Sequence, residues 1–477
     1  MLPARLLISA AHKSSGKTTV SIGLCAALLR RGLSVQPFKK GPDYIDPMWL
    51  SKASGRACRN LDFYLMQKQE IHNLFARHAT NADINVIEGN KGLYDGLDLD
   101  GSNSNAALAR LLQVPVVLVI DARGMTRGIA PLILGYQAFD RDLQIAGVIL
   151  NRIGGARHEA KLRAVIAHYT DVPVLGGIHE HPELQIEERH LGLMPSAEAA
   201  DADRSIARIG ALVEAQVDLD RLIAIARSAP PLPVGPDKLV CIPIATRAPG
   251  RRLRIGVVRD QAFGFYYADD LEALEKSGAE LVFVDTLRDQ SLPVLDGLII
   301  GGGFPEMFLG ALESNVLLRD RIRQAIENGL PVYAECGGLM YLARSITWHG
   351  VTRRMVGAIA GDVVMHAKPV GRGYVRLRQT GLAPWSVAPG EAELGAHEFH
   401  YSSLDNLENT QFAYDMVRGY GIDGRHDGIV YKNVLASYTH LRSVGAVNWA
   451  KNFLGFVRQV AQAQTHYQQE NSKVGVG

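Results

Sequence analysis

The chain has 477 residues, of which 47% are hydrophobic and 21% charged, the balance of a protein of two or more domains of roughly 100–200 residues with a large buried core. Its 51 basic and 49 acidic residues leave a formal charge of +2, and no run of about five like charges occurs, which argues against a nucleic-acid or membrane-surface binder. No stretch reaches the ~18 consecutive apolar residues of a membrane span.

The N-terminal "MLPARLLISAAHKS" leads straight into a glycine-lysine turn and reads as a first strand (5–10) rather than a signal peptide. An amphipathic helix follows over 18–32, ended by a glycine. Further strands are expected at 33–39, 83–89, 114–122 and 145–152. Several are apolar throughout, as parallel strands covered on both faces are. Strands separated by helices predict βαβ units and a doubly wound parallel sheet. A proline-rich stretch without helical periodicity marks a linker, placed at 229–252 between a domain over 1–228 and a second α/β domain over 253–465. The second pattern runs through strands at 253–260, 279–285, 295–306 and 330–338, with helices near 266–277 and 316–328. Residues 350–445 read as strands and turns, and the tail "QQENSKVGVG" as loose. Four scattered cysteines, Cys25, Cys58, Cys241 and Cys336, show no disulfide or metal-finger spacing, so a reduced, cytoplasmic protein is expected.

The first strand-to-helix turn is Ala11-His12-Lys13-Ser14-Ser15-Gly16-Lys17-Thr18. It keeps the frame of a mononucleotide-binding loop, with alanine in place of the first glycine. Backbone N–H groups at the start of the helix would face phosphates, Lys17 would add a mobile positive charge, and Thr18 a hydroxyl for Mg²⁺. Mg²⁺ takes oxygen ligands. Candidate carboxylates are Asp43 and Asp46 in "GPDYIDP" and Glu88 at the end of its strand. A carboxylate at the C-terminal edge of a parallel strand lies in the ligand crevice of such a sheet. Asp43, beside Pro42, also suits a plain turn.

In the second half, strand, Glu335-Cys336-Gly337-Gly338 and apolar helix form a nucleophile elbow: a tight turn exposes the thiol over a helix N-terminus. His440, after the apolar run "NVLASYT", is the candidate base, and Gly302 and Gly303 in "IIGGGFPE" are the candidate oxyanion donors.

These motifs, with "NLD" (60–62), "EGNKGLYDG" (88–96), "ERHLGLMP" (188–195) and "HEFHYS" (397–402), follow one another over nearly the whole chain. In that order the chain resembles the cobyrinic acid a,c-diamide synthase family. Such proteins join an N-terminal P-loop domain, similar to dethiobiotin synthetase, to a C-terminal class I glutamine amidotransferase domain. The resemblance implies glutamine hydrolysis at Cys336 with His440 as base, through a thioester that releases ammonia along a shielded path between domains. It further implies ATP- and Mg²⁺-dependent activation of a tetrapyrrole carboxylate, with two acetate side chains, a and c, amidated in turn. ATP would lie on Ser14, Ser15, Gly16, Lys17, Thr18 and Thr19, and the metal on Thr18, Asp43, Asp46 and Glu88. Tyr94 and Asp95 match a loop near the acceptor. "HEFHYS" is expected near the domain interface, without individual roles.

Three departures from the family pattern stand out. Asn90 and Lys91 replace residues that are apolar in many members, which makes Lys91 a candidate contact for an extra acetate or propionate of the acceptor, although a solvated loop lysine reads equally well. "GSNSNAALARLL" (101–112) departs from the usual Gly-Ser-Thr-Ala pattern. His440 is followed by Leu441-Arg442 where Pro-Glu is usual, so the third member of the glutaminase triad stays open. The expected acceptor is cobyrinate or hydrogenobyrinate, with sirohydrochlorin, its nickel form or sirohaem as the alternative. A P-loop regulatory ATPase, a different class, would carry lysine at His12 and need no cysteine elbow. The expected partners are glutamine and a carboxylated tetrapyrrole, with no nucleic acid or membrane, and a homodimer is the candidate assembly.

Overall fold

The computed structural model describes residues 3–181, 186, 188–189, 192–198, 201–232, 251–388, 390, 393–408, 410–445 and 447–474. Most of the expected linker, residues 233–250 with Cys241, lies outside them. The chain divides into two compact units, Met1–Val240 and Cys241–Gly477.

The first unit alternates strand and helix: β1 (Ala4–Ala10), α1 (Lys17–Arg30), β2 (Val35–Lys40), α2 (Ile45–Ser54), β3 (Arg59–Leu61), α3 (Lys68–Ala79), β4 (Ile84–Glu88), α4 (Asn105–Leu112), β5 (Val116–Asp121), α5 (Ile129–Phe139), β6 (Ile145–Ile153), α6 (Ala156–Tyr169) and β7 (Val174–His179). A small hairpin, β8 (Glu188–Arg189) and β9 (Gly192–Leu193), precedes α7 (Ala202–Gln216) and α8 (Leu219–Arg227). Strands β1 to β7 form one sheet in the order β3-β2-β4-β1-β5-β6-β7, every pair parallel. β1 and β4 are buried along their whole length, as parallel strands covered on both faces are, and this includes their polar residues Arg5, Ser9, Asn85 and Glu88. α1 packs closely on α7, because any side chain at Gly23 would run into Val213 and any at Gly210 into Ala26.

The second unit comprises β10 (Leu253–Val258), β11 (Phe263–Phe265), α9 (Ala268–Lys276), β12 (Ala279–Val284), β13 (Gly297–Ile300), β14 (Gly302–Gly303), α10 (Leu309–Ser314), α11 (Val316–Glu327), β15 (Val332–Glu335) and α12 (Gly337–Leu342). Then come β16 (Ala343–Trp348), β17 (Val351–Arg354), β18 (Ile359–Met365), β19 (Gly371–Gln379), β20 (Leu394–His400), β21 (Ser402–Asp405), β22 (Gln411–Arg418), β23 (His426–Tyr431), β24 (Val434–Ser437) and α13 (Trp449–Val474). Nine strands make a mixed sheet, β12-β10-β13-β15-β24-β23-β22-β19-β20, parallel as far as β24 and antiparallel beyond it. The antiparallel half and a separate four-stranded sheet, β17-β16-β18-β21, account for the strand-rich 350–445. The tail differs from expectation: α13 carries helical backbone through residue 474. No helix among the described residues is long and apolar enough to cross a membrane.

Candidate active sites in the two units

In the first unit, α1 begins at the end of the 11–18 turn. Gly16 takes φ +85°, and its missing side chain admits the amide of Asn151 at the end of β6. Asn151 Nδ2 donates to the Ser15 carbonyl at 2.9 Å and Arg152 donates to the Ser14 carbonyl at 3.0 Å, so two residues that follow one another on β6 brace the turn. Lys17 is buried at its mouth. Burial pushes its ammonium down and Glu88 pulls it back up, leaving it at about 8.

Below Lys17, the expected oxygen donors converge. Thr18 Oγ1 donates to Glu88 Oε1 at 2.7 Å and to Asp46 Oδ2 at 3.2 Å. Between them sits Lys39, missed in the sequence. Its Nζ donates to Asp46 Oδ2 and, at 2.8 Å, to Glu88 Oε1, and lies 3.8 Å from Asp43 Oδ2. Burial alone would lower the Lys39 ammonium, but Asp46, Glu88 and Asp43 hold it well above the usual lysine range. Asp43 makes the turn considered for it, its Oδ1 accepting from the amides of Ile45 and Asp46, while Oδ2 faces Lys39. Burial, then the charge of Asp46, raises its carboxyl. Burial likewise raises Glu88, whose Oε2 has no hydrogen-bond partner among the described residues. One hydroxyl and three carboxylates, with Glu88 Oε2 buried and unpartnered, are hard oxygen donors of the kind Mg²⁺ takes, and Lys39 stands among them.

The acceptor candidates are arranged differently. The Tyr94 hydroxyl donates to the Tyr136 carbonyl at 2.6 Å and its ring packs on Tyr136 and Phe139, so it shapes the loop as a wall. Asp95 Oδ2 accepts from the Gly92 amide at 2.8 Å. Asn105, from the unusual 101–112 stretch, is fully buried. It donates to the carbonyls of Asn90 and Gly92 and accepts from the Asn90 amide. Lys91, at φ +43°, is thus exposed on a loop pinned from both sides.

In the second unit, β15 delivers Cys336 at φ +47° and α12 begins at the next residue. Gly337 and Gly338 are required by crowding: a side chain at 338 would collide with the Ile300 carbonyl, and one at 337 would come within 3.0 Å of the Gly303 amide nitrogen. That same closeness sets the Gly303 amide beside the elbow. Asp427 accepts from the amides of Tyr438 and Thr439 and so fixes the chain leading to His440. Cys336 and His440 share a side-chain hydrogen bond, and Gly302 leaves room for the imidazole, whose Cε1 would lie 2.7 Å from a β-carbon there.

The acid that faces His440 is Glu335, the residue before Cys336. Its Oε2 lies 3.3 Å from His440 Nδ1, while Oε1 accepts from the Leu441 amide at 2.9 Å and from the Tyr333 hydroxyl at 2.5 Å. Burial pushes the His440 imidazole down, but the hydrogen bonds and charges of Cys336 and Glu335 outweigh it and hold it at about 10. Arg442, which stands where a glutamate is usual, pairs instead with Asp269 at 3.0 Å. From "HEFHYS", His397 stacks on His440 at 4.8 Å and 16°, and the two exchange backbone hydrogen bonds. Burial, then the neighbouring His440 and Arg442 charges, pushes His397 well below the usual histidine range, so it covers His440 as a neutral ring. The acid before the cysteine was visible in the sequence as a position, but nothing local linked it to a histidine 105 residues away.

Comparison with known proteins agrees with this division. Residues 7–193 match the CobQ/CobB/MinD/ParA nucleotide binding domain and residues 254–445 the CobB/CobQ-like glutamine amidotransferase domain. Cobyrinate a,c-diamide synthase of Magnetococcus marinus is 48% identical over 95% of this chain and 97% of its own length. The proteins of that name from Methanosarcina acetivorans and Archaeoglobus fulgidus are 44% and 41% identical, over 92% and 94% of this chain and 92% and 96% of their own lengths. With a nucleotide-binding domain and a glutamine amidotransferase domain on one chain, and relatives matched along nearly their full length, this protein belongs to the cobyrinate a,c-diamide synthase family of glutamine-dependent amidotransferase ligases.

Proposed function

We propose that the chain amidates the a and c acetate side chains of cobyrinate or hydrogenobyrinate in cobalamin biosynthesis, with ATP as the activating cosubstrate and glutamine as the nitrogen source. The observation that carries the reading is the pairing, on one chain, of a Cys336–His440–Glu335 constellation with a phosphate-binding turn above a hydroxyl-carboxylate cluster.

In the second unit, Cys336 Sγ attacks the glutamine carboxamide carbon and the oxyanion is met by amides of the Gly302-Gly303 segment. The C–N bond breaks, ammonia leaves with the proton carried by His440, and water then cleaves the thioester to glutamate. Glu335 holds the imidazole in position and stabilises its charge. In the first unit, Ser14 to Thr19 and Lys17 hold the ATP phosphates. The acceptor carboxylate takes the γ-phosphoryl group, and ammonia displaces phosphate from that acyl phosphate to leave the amide. Thr18, Asp43, Asp46 and Glu88 would hold Mg²⁺, which neutralises charge on the phosphates when bound.

The test is a mass-spectrometric acceptor panel: protein, Mg²⁺-ATP and glutamine with cobyrinic acid, hydrogenobyrinic acid, sirohydrochlorin or sirohaem in separate reactions. Diamide formation from cobyrinic or hydrogenobyrinic acid, far ahead of the others, is the expected result. Preference for sirohydrochlorin or sirohaem would keep the chemistry and overturn the acceptor, a reading favoured only by the polar Asn90-Lys91 pair. Absence of any amide would overturn the proposal.

A further inference from the structure

Lys39 and Lys40 are successive residues of β2 and point to opposite faces of the sheet. Lys39 is surrounded by carboxylates. Lys40 is not: it is 93% buried, being 7% exposed, and its Nζ donates to Asn90 Oδ1 at 3.1 Å. Among the described residues no carboxylate comes within ion-pair distance of it. Asp62 attracts it from farther off and Lys91 repels it, so a second cation stands nearby. Lys91 itself makes no side-chain hydrogen bond or ion pair among the described residues. Burying an ammonium without a paired anion costs several kcal/mol in a typical protein interior, and placing a second ammonium near it adds to that cost. The loop holding Lys91 is also fixed, by Asn105 on one side and Asp95 on the other. A solvated surface lysine would need no such bracing.

We infer that Lys40, Asn90 and Lys91 form a seat for a carboxylate of the acceptor other than the one being amidated. The inference rests on the acceptor class proposed above, a macrocycle bearing several carboxylates. Its carboxylate would supply the charge that Lys40 lacks, accept from Lys91, and receive a hydrogen bond from the Asn90 amide group. The seat lies at the C-terminal ends of β2 and β4, next to the cluster around Glu88, so a second acid group held there fixes which carboxylate reaches the phosphoryl donor.

The test combines a footprint with kinetics. Acetylation of the exposed Lys91 by an amine-reactive ester is followed by mass spectrometry in the full-length protein, with cobyrinic acid or its fully methyl-esterified form added. Protection of Lys91 at least tenfold by the acid, and not by the ester, is expected. Equal protection by both forms, or by neither, would overturn the seat. In parallel, Lys40→Met and Lys91→Met should raise the KM for cobyrinic acid at least tenfold while the KM for ATP moves less than twofold, and Lys91→Arg should restore most of the loss. An acceptor KM unchanged in a folded Lys91→Met variant would also overturn it. If wild-type protein amidates no cobyrinic acid, the proposed function fails, yet the footprint with the acid still decides on the seat.

Discussion

Glu335 Oε2 stands 3.3 Å from His440 Nδ1, although 105 residues separate them, because β15 and β24 are adjacent parallel strands that end at the same edge. One turn of backbone therefore presents both Cys336 and the acid that faces His440. Glu335→Gln keeps the shape and removes the charge. Glutaminase kcat should fall by about 10²-fold or more, as when the carboxylate of a catalytic triad is neutralised, with the KM for glutamine changed less than threefold. Steady-state glutamate release measures both, and an unchanged kcat would remove Glu335 from the constellation.

The same pair gives stability a pH dependence. His440 is raised above its unfolded value of about 6.5, to about 10, so its contribution is complete below the first value and is lost as pH rises through the second. The Tm difference between wild type and Glu335→Gln should be largest near pH 6 and shrink steadily toward pH 10. A difference that stays flat across that range would mean that the imidazole is not charged in the folded protein.

Separate chemistry in the two units predicts a separable loss. Cys336→Ala should abolish glutamine-dependent amide synthesis and retain synthesis from added ammonium salt, assayed by mass spectrometry of the tetrapyrrole. A folded variant that ammonia does not rescue would overturn the two-site scheme.

Lys39 is the cation set among a cluster of three carboxylates. Removing one partner of a buried ionic group costs roughly 3–5 kcal/mol, which corresponds to a Tm drop of about 10 °C for a unit of this size. Lys39→Met should show that drop without metal and recover much of it when Mg²⁺ is added. Thermal melts with and without Mg²⁺ measure this, and a variant melting like wild type would mean that Lys39 contributes little to the cluster.

The glycine-lysine turn before α1, the parallel sheet and the cysteine elbow were legible because each is written in a few adjacent residues: glycines where backbones crowd, apolar runs where both faces are covered. Strand ends in the first unit were placed within a residue or two, as β2 at 35–40 and β6 at 145–153 illustrate, whereas the expected strands 295–306 and 330–338 overran β13 and β15, which end at Ile300 and Glu335. Partnerships across the sheet were not legible. Lys39 meets Glu88 because β2 and β4 are neighbours in register, a pairing set by the crossover pattern rather than by any local sequence. Asn105 read only as a departure from a pattern, since the loop it braces lies 15 residues upstream. Leu441-Arg442 suggested a missing acid, while the acid beside His440 comes from another strand.

The backbone at Cys336 has a consequence for how the position can change over generations. A residue with a β-carbon held at φ +47° carries strain of about 1–2 kcal/mol that glycine would not feel. Folding alone therefore favours glycine at 336, and drift in a lineage that no longer hydrolysed glutamine would tend toward it. A glycine there would give up the thiol and gain stability, so the strained turn sets the stability of the fold against the chemistry of one side chain.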